Sequence, residues 1–145
     1  MLLLGKIQPI TVSQIQAELT RIAPHAKFGD WASAPELNAN SGTSTIEIDD
    51  EPLSVVVIPT PAEVTIVERA HFANHIWPNV EADVAEHTAY FLISATRDTV
   101  DQRALLKQAR AVTLLAAVIA RLVPFIGIKW VDGSNCMGAK LLINL

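Results

Sequence analysis

The chain has little that could cross-link it covalently or mark it for a metal. It holds one cysteine, Cys136, among 145 residues. That excludes an internal disulfide framework and a cysteine-rich zinc site, and it suits a reducing compartment. Charge is sparse. Only 18% of residues are charged, below the usual quarter, while half are apolar. This balance excludes disordered, collagen-like and low-complexity filament classes. There is no excess of positive charge, and the net charge of −4 argues against a nucleic-acid coat. Long apolar runs are also missing. The strongest membrane candidate, Ala111 to Ile128, contains Arg121 and Pro124, and its unbroken uncharged stretch covers only residues 111–120. A spanning helix needs about 20 mostly apolar residues, so no membrane span is expected. The opening Met1-Leu2-Leu3-Leu4-Gly5-Lys6 has neither the basic start nor the cleavage site of a signal peptide, which makes the cytoplasm the expected location.

What is present reads as one α+β domain over residues 1–145. Leu2 to Ile7 predicts a buried strand. Val12, Ile15, Leu19 and Ile22 recur at helical spacing behind Thr11 and Ser13, each with a glutamine three residues on, and Pro24 ends that helix. Residues 25–43 lack a pattern and read as a loop anchored by Trp31 and Leu37. Thr45 to Asp49 and Leu53 to Ile58 predict a hairpin around an Asp50-Glu51-Pro52 turn, its second strand buried on both faces. Thr60-Pro61-Ala62-Glu63 starts a helix running to about His75, and Asn79 caps a short one through Glu86. Thr88 to Ala95 is a strand. Thr99 with Gln102 opens a long helix that Pro124 closes. Phe125 to Val131 and Lys140 to Leu145 are the last strands, on either side of a turn at residues 132–135. The first six elements follow the ferredoxin-like order βαββαβ, with a long helix and strand added. The expectation is a mixed or antiparallel sheet with helices mainly on one face.

Chemical signatures are weak. No G-x-x-x-x-G-K, G-x-G-x-x-G or G-x-S-x-G motif occurs, so no nucleotide cofactor or serine elbow is indicated. Cys136 beside Ser134, with the histidines scattered elsewhere, makes no nucleophilic constellation. His71 and His75 stack on one helical face with Glu68 one turn earlier and His87 farther on. A metal-assisted hydrolase built on Glu68, His71, His75 and His87 is therefore one alternative. The spacing is not that of a zinc protease, and a closed ligand set is not evident. Glu47, Asp49, Asp50 and Glu51 gather at the hairpin and read as a solvated acidic patch. Nine of the fifteen acidic residues but four of the eleven basic ones fall within residues 1–72, so this half can attract a basic partner. On the long helix Arg103, Lys107, Arg110 and Arg121 share a face with Leu114 and Ala117, and residues 111–120 read as apolar all round. Such a helix must be covered by another part of the chain or by a second subunit. A homo-oligomer with Leu114, Ala117 and Arg121 at its interface is therefore expected.

Several of these segments carry a resemblance. Leu2-Leu3-Leu4, Val55-Val56-Val57-Ile58-Pro59-Thr60-Pro61, Ile76-Trp77-Pro78, His87 ahead of Tyr90-Phe91-Leu92-Ile93-Ser94, and Ile126-Gly127-Ile128-Lys129-Trp130 together resemble a bacterial family, domain of unknown function 4261. The likeness spans most of residues 1–131 and rests on short apolar motifs with a proline-rich helix start. The family continues beyond the glycine-and-tryptophan strand, and residues 136–145 depart from its pattern, which implies a shortened or truncated member. The resemblance brings no catalytic residues. It implies an interaction role near bacterial toxin or secretion systems. The expectation is a non-catalytic protein-binding module, an immunity or accessory protein, with the hairpin carboxylates steering a basic protein partner.

Overall fold

In a computed structural model, which describes residues 1–32, 36–62, 80–129 and 136–138, the apolar alternation of the strands becomes one antiparallel sheet. Its strands are β1 (Leu2–Leu4), β3 (Phe28–Ala32), β5 (Thr43–Ile48), β6 (Glu51–Ile58), β7 (Ala89–Ala95), β8 (Gly127–Lys129) and β9 (Cys136–Gly138). They lie in the order β3-β5-β6-β7-β1-β8-β9. A separate two-stranded piece joins β2 (Ile10–Thr11) to β4 (Glu36–Leu37). Three helices are described: α1 (Val12–Ile22), α2 (Val80–Ala85) and α3 (Gln102–Leu122). A split-βαβ arrangement makes the strands flanking a helical crossover parallel. In a ferredoxin-like sheet such strands are separated by an antiparallel neighbour; here β7 lies directly beside β6, with β1 on its far side, so the ferredoxin-like order is not confirmed. β1 sits between β7 and β8, with Leu2 opposite both Phe91 and Ile128. Leu2, Leu3 and Leu4 are all buried, so this strand is covered on both faces.

Period two and period 3.6 meet in the core. Ile46 and Ile48 of β5, Leu53, Val55 and Val57 of β6, and Ala89 and Phe91 of β7 point to the side where α1 and α3 lie. The helices answer with Ile15 and Leu19 and with Ala111, Leu115, Val118 and Ile119. β6 is buried on this face only, since Ser54, Val56 and Ile58 are half-buried rather than enclosed. Ser44 also faces inward, and its hydroxyl has no hydrogen-bond partner among the described residues. Burial of an unpaired hydroxyl costs about 1–3 kcal/mol, so Ser44→Ala is expected to hold or raise stability by about 1 kcal/mol. The urea midpoint reads this directly, and a marked drop would reveal a hidden partner for the hydroxyl.

Local signals predicted several boundaries correctly. The Thr11 hydroxyl accepts from the Gln14 N–H at 3.2 Å, and the Gln14 side chain accepts from the Thr11 N–H at 2.8 Å, so the capping box is formed. α1 ends at Ile22, before Pro24, and α3 ends at Leu122, before Pro124. Three expectations move. α3 is capped by Asp101, whose carboxylate accepts from the N–H groups of Arg103 and Ala104; Thr99 instead accepts from the Asp101 N–H. The hairpin turn is Asp49–Asp50, both left-handed at φ 52° and 63°, the pair of positive φ values a two-residue primed turn needs. Glu51 and Pro52 therefore belong to β6. Residues 25–43 are not simply a loop, for they contain β3 and β4. Between the pairs Phe28–Ile48 and Trp31–Ile46, β3 has two residues, Gly29 and Asp30, against one on β5, Glu47. This bulge breaks the alternation that marks a strand in sequence. Gly29 is required there, because a Cβ at that position would lie 2.8 Å from the Glu47 Cβ. Leu37 and Trp31 do pack down as anticipated. The Lys140–Leu145 strand, the turn at residues 132–135 and most of the helix begun at Thr60 lie outside the described residues.

The ends of α1 and α3 are clamped by one carboxylate. Glu18 accepts from Arg21 at 2.6 Å and from Arg121 Nε at 2.7 Å. The hydrogen bond from Arg21, with Arg121 beside it and burial opposing, holds the Glu18 carboxyl down from 4.5 to about 2. A depressed carboxyl stabilises the fold above its unfolded value and loses that contribution as pH falls towards the folded value. Wild type and Glu18→Gln are therefore expected to differ in urea stability at neutral pH and to converge between about 4.5 and 2. A gap that persists at the acid end would assign the effect to packing.

Candidate functional site

The end of the sheet where β5 turns into β6 and β7 feeds α3 carries the most distinctive surface. The connection from β7 to α3 is fastened at several points. Thr96 donates from its N–H and its hydroxyl to the Pro52 carbonyl, both at 3.1 Å. Buried Gln108 reaches back from α3 and donates to the Arg97 carbonyl at 2.8 Å. Glu51, buried at the start of β6, meets Lys107 of α3 at 3.0 Å. The hairpin and the first turns of α3 are thus held together. Between β7 and α3 runs a groove of about 560 Å³. Leu105, Ala109, Val112 and Ala116 of α3 form one wall, Ile93 and Ala95 of β7 the other, and Leu2 and Ile128 contribute deeper in. Leu105 on that wall is 46% exposed, and Val100 and Leu106, on either side of it in the chain, are 99% and 72% exposed. Among the described residues no other large apolar side chain is so exposed. An apolar groove walled by a helix and a strand is a usual form of binding surface.

The sequence contained a signal for this groove. Leu105, Ala109, Val112 and Ala116 repeat at four, three and four residues, forming a second apolar stripe beside the core stripe of Ala111, Leu115, Val118 and Ile119. The two stripes together made residues 111–120 read as apolar all round. Most of that cover comes from this chain, through the sheet and α1. Of the residues anticipated at an oligomer interface, Leu114 packs partly buried against the core, Ala117 is half-buried, and Arg121 is engaged by Glu18.

The four hairpin carboxylates do not form one patch. β5 is also not an edge strand, because β3 pairs on its outer side. Glu51 faces the helices and is buried under Lys107. Glu47 lies opposite Pro52 and half-buried. Asp49 is structural: its carboxylate accepts from the Lys27 N–H at 2.8 Å, and its own N–H donates to the Lys27 carbonyl. Asp50 stays exposed at the tip, where its carbonyl accepts from Arg97 at 3.4 Å. The acidic tip and the groove mouth are therefore neighbours.

Of the histidine set, Glu68, His71 and His75 lie outside the described residues. His87 is buried, its Nε2 accepts from the Ala62 N–H at 2.8 Å, and its Nδ1 faces the Val84 carbonyl. Only the neutral imidazole with its hydrogen on Nδ1 can make both bonds. That leaves no lone pair for a metal. Among the described residues no group of three or more histidine, cysteine, aspartate or glutamate side chains could hold an ion. No described helix is long and apolar enough to cross a membrane. In comparisons with known proteins, no family model, no curated protein and no solved structure matches the chain.

Proposed function

We propose that this chain is a protein-binding module whose contact surface is the groove between β7 and α3. The observation that carries the reading is the apolar groove itself, with Leu105 46% exposed on its helical wall. Desolvating such groups is a favourable source of association energy, about 25 cal/mol per Å² before the costs of ordering. The groove itself is built on a helix and a strand, so it is preorganised. The resemblance to domain of unknown function 4261 supports an immunity or accessory role beside a bacterial toxin or secretion system. In that role the exposed Asp50, whose carbonyl accepts from Arg97 of the groove, steers a basic protein, while Glu51 and Asp49 keep the hairpin in shape. Affinity capture from the source cells, with wild type and Leu105→Asp in parallel, tests the reading. A stoichiometric protein held by wild type and lost by the variant is expected. A partner retained equally by both would place the contact elsewhere.

A further inference from the structure

We infer that His87 is a pH-sensitive clasp, and that acidification frees the stretch leaving β6 from the end of α2. The ring is buried and both its nitrogens are committed to main-chain groups, Nδ1 to the Val84 carbonyl and Nε2 to the Ala62 N–H at 2.8 Å. The two bonds make opposite demands: Nδ1 carries a hydrogen and Nε2 is bare. A second proton can therefore enter only at Nε2. It turns the acceptor into a donor, so two N–H groups point at one another and the bond to Ala62 is lost. The bond to Val84 survives, because Nδ1 keeps its hydrogen. The break thus falls on one side. The ring stays with α2, and residue 62 is let go. Imidazole is the side chain suited to this, since its charge changes between about pH 5 and 8. The clasp is shut at the alkaline end of that range and opens as pH falls. Among the described side chains, the titratable groups of this corner are few. Residues 58–62 carry none. Beside the end of α2 are half-buried Asp83 and exposed Glu86. β7 adds half-buried Tyr90, and Lys6 is exposed beyond Gly5, whose carbonyl accepts from the Thr88 hydroxyl. None of these holds a ring nitrogen, because backbone groups occupy both.

The test is amide exchange of the full chain by NMR from about pH 8 to 5, each rate divided by its intrinsic value at that pH, with the ring nitrogens of His87 followed in the same samples. The Ala62 amide is expected to be protected at the upper end and to lose about tenfold in protection at the lower, the ratio that corresponds to one buried hydrogen bond. The loss should track the arrival of hydrogen on Nε2. The amides paired between β6 and β7 should keep their protection, so that the opening is local. His87→Gln retains a donor and an acceptor but does not titrate, and its Ala62 protection should not change with pH. Unchanged Ala62 protection in the wild type overturns the clasp. So does a loss that precedes protonation of Nε2, a loss shared by the β6–β7 amides, or the same pH dependence in the glutamine variant. If that variant leaves Ala62 unprotected throughout, the wild-type coincidence of ring protonation and exchange decides alone.

Discussion

Replacing Lys107 with alanine is expected to destabilise the protein by about 2 kcal/mol, because it strands the buried Glu51 carboxylate. The two groups lie 3.0 Å apart, but their surroundings differ: the Glu51 side chain is 7% exposed and that of Lys107 46%. A fully buried pair that loses one partner costs about 3–5 kcal/mol, and an exposed pair less than about 1. The half-wet lysine places the effect between these limits. The converse follows from the same physics. Glu51→Met together with Lys107→Met removes both desolvation penalties and should come within about 1 kcal/mol of wild type. Urea unfolding of the single and double variants supplies the coupling energy. An alanine variant as stable as wild type would show that water already solvates Glu51. The pair matters for more than stability, since it ties the hairpin to α3 beside the groove mouth. Its loss should also raise amide exchange in residues 97–106.

Replacing His87 with alanine is expected to cost about 3 kcal/mol, combining a cavity with two orphaned backbone groups. The Ala62 N–H and the Val84 carbonyl each lose their partner, and the ring that is removed is buried. His87→Gln should recover part of the loss, because an amide presents one acceptor and one donor at similar reach. Nitrogen NMR of the ring offers a direct check. Hydrogen on Nδ1 and a bare Nε2 are expected, and the opposite tautomer would refute the arrangement. The role is that of a clasp. His87 joins the end of α2 to the segment leaving β6, two stretches 25 residues apart in sequence.

How far the fold was legible follows from where each signal resides. The capping box of α1 is complete within four residues, so Thr11 and Gln14 announce it without help from the rest of the chain. The proline stops at residues 24 and 124 are equally local. The periodic strands β5, β6 and β7 reveal their inward faces through alternation alone. β3 was hidden because its bulge shifts the alternation by one residue. The cap of α3 was placed two residues early because Thr99 and Asp101 both offer the right oxygen, and only the path of the chain from β7 selects between them.

The amino-acid sequence alone determined that this is one α+β chain with a long helix carrying two adjacent apolar stripes, because composition and periodicity are properties of neighbours. Which stripe goes into the core and which lines an open groove was decided only by the tertiary structure, through where α1 lies against α3. The same holds for the hairpin carboxylates. Glu51 reads as a surface charge until β6 turns it towards Lys107, 56 residues away. It holds too for β1, whose three leucines could fit any buried strand and take a central one through pairing with Phe91 and Ile128. Contacts between residues far apart in the chain depend on the closure of the whole sheet, and no local pattern encodes them.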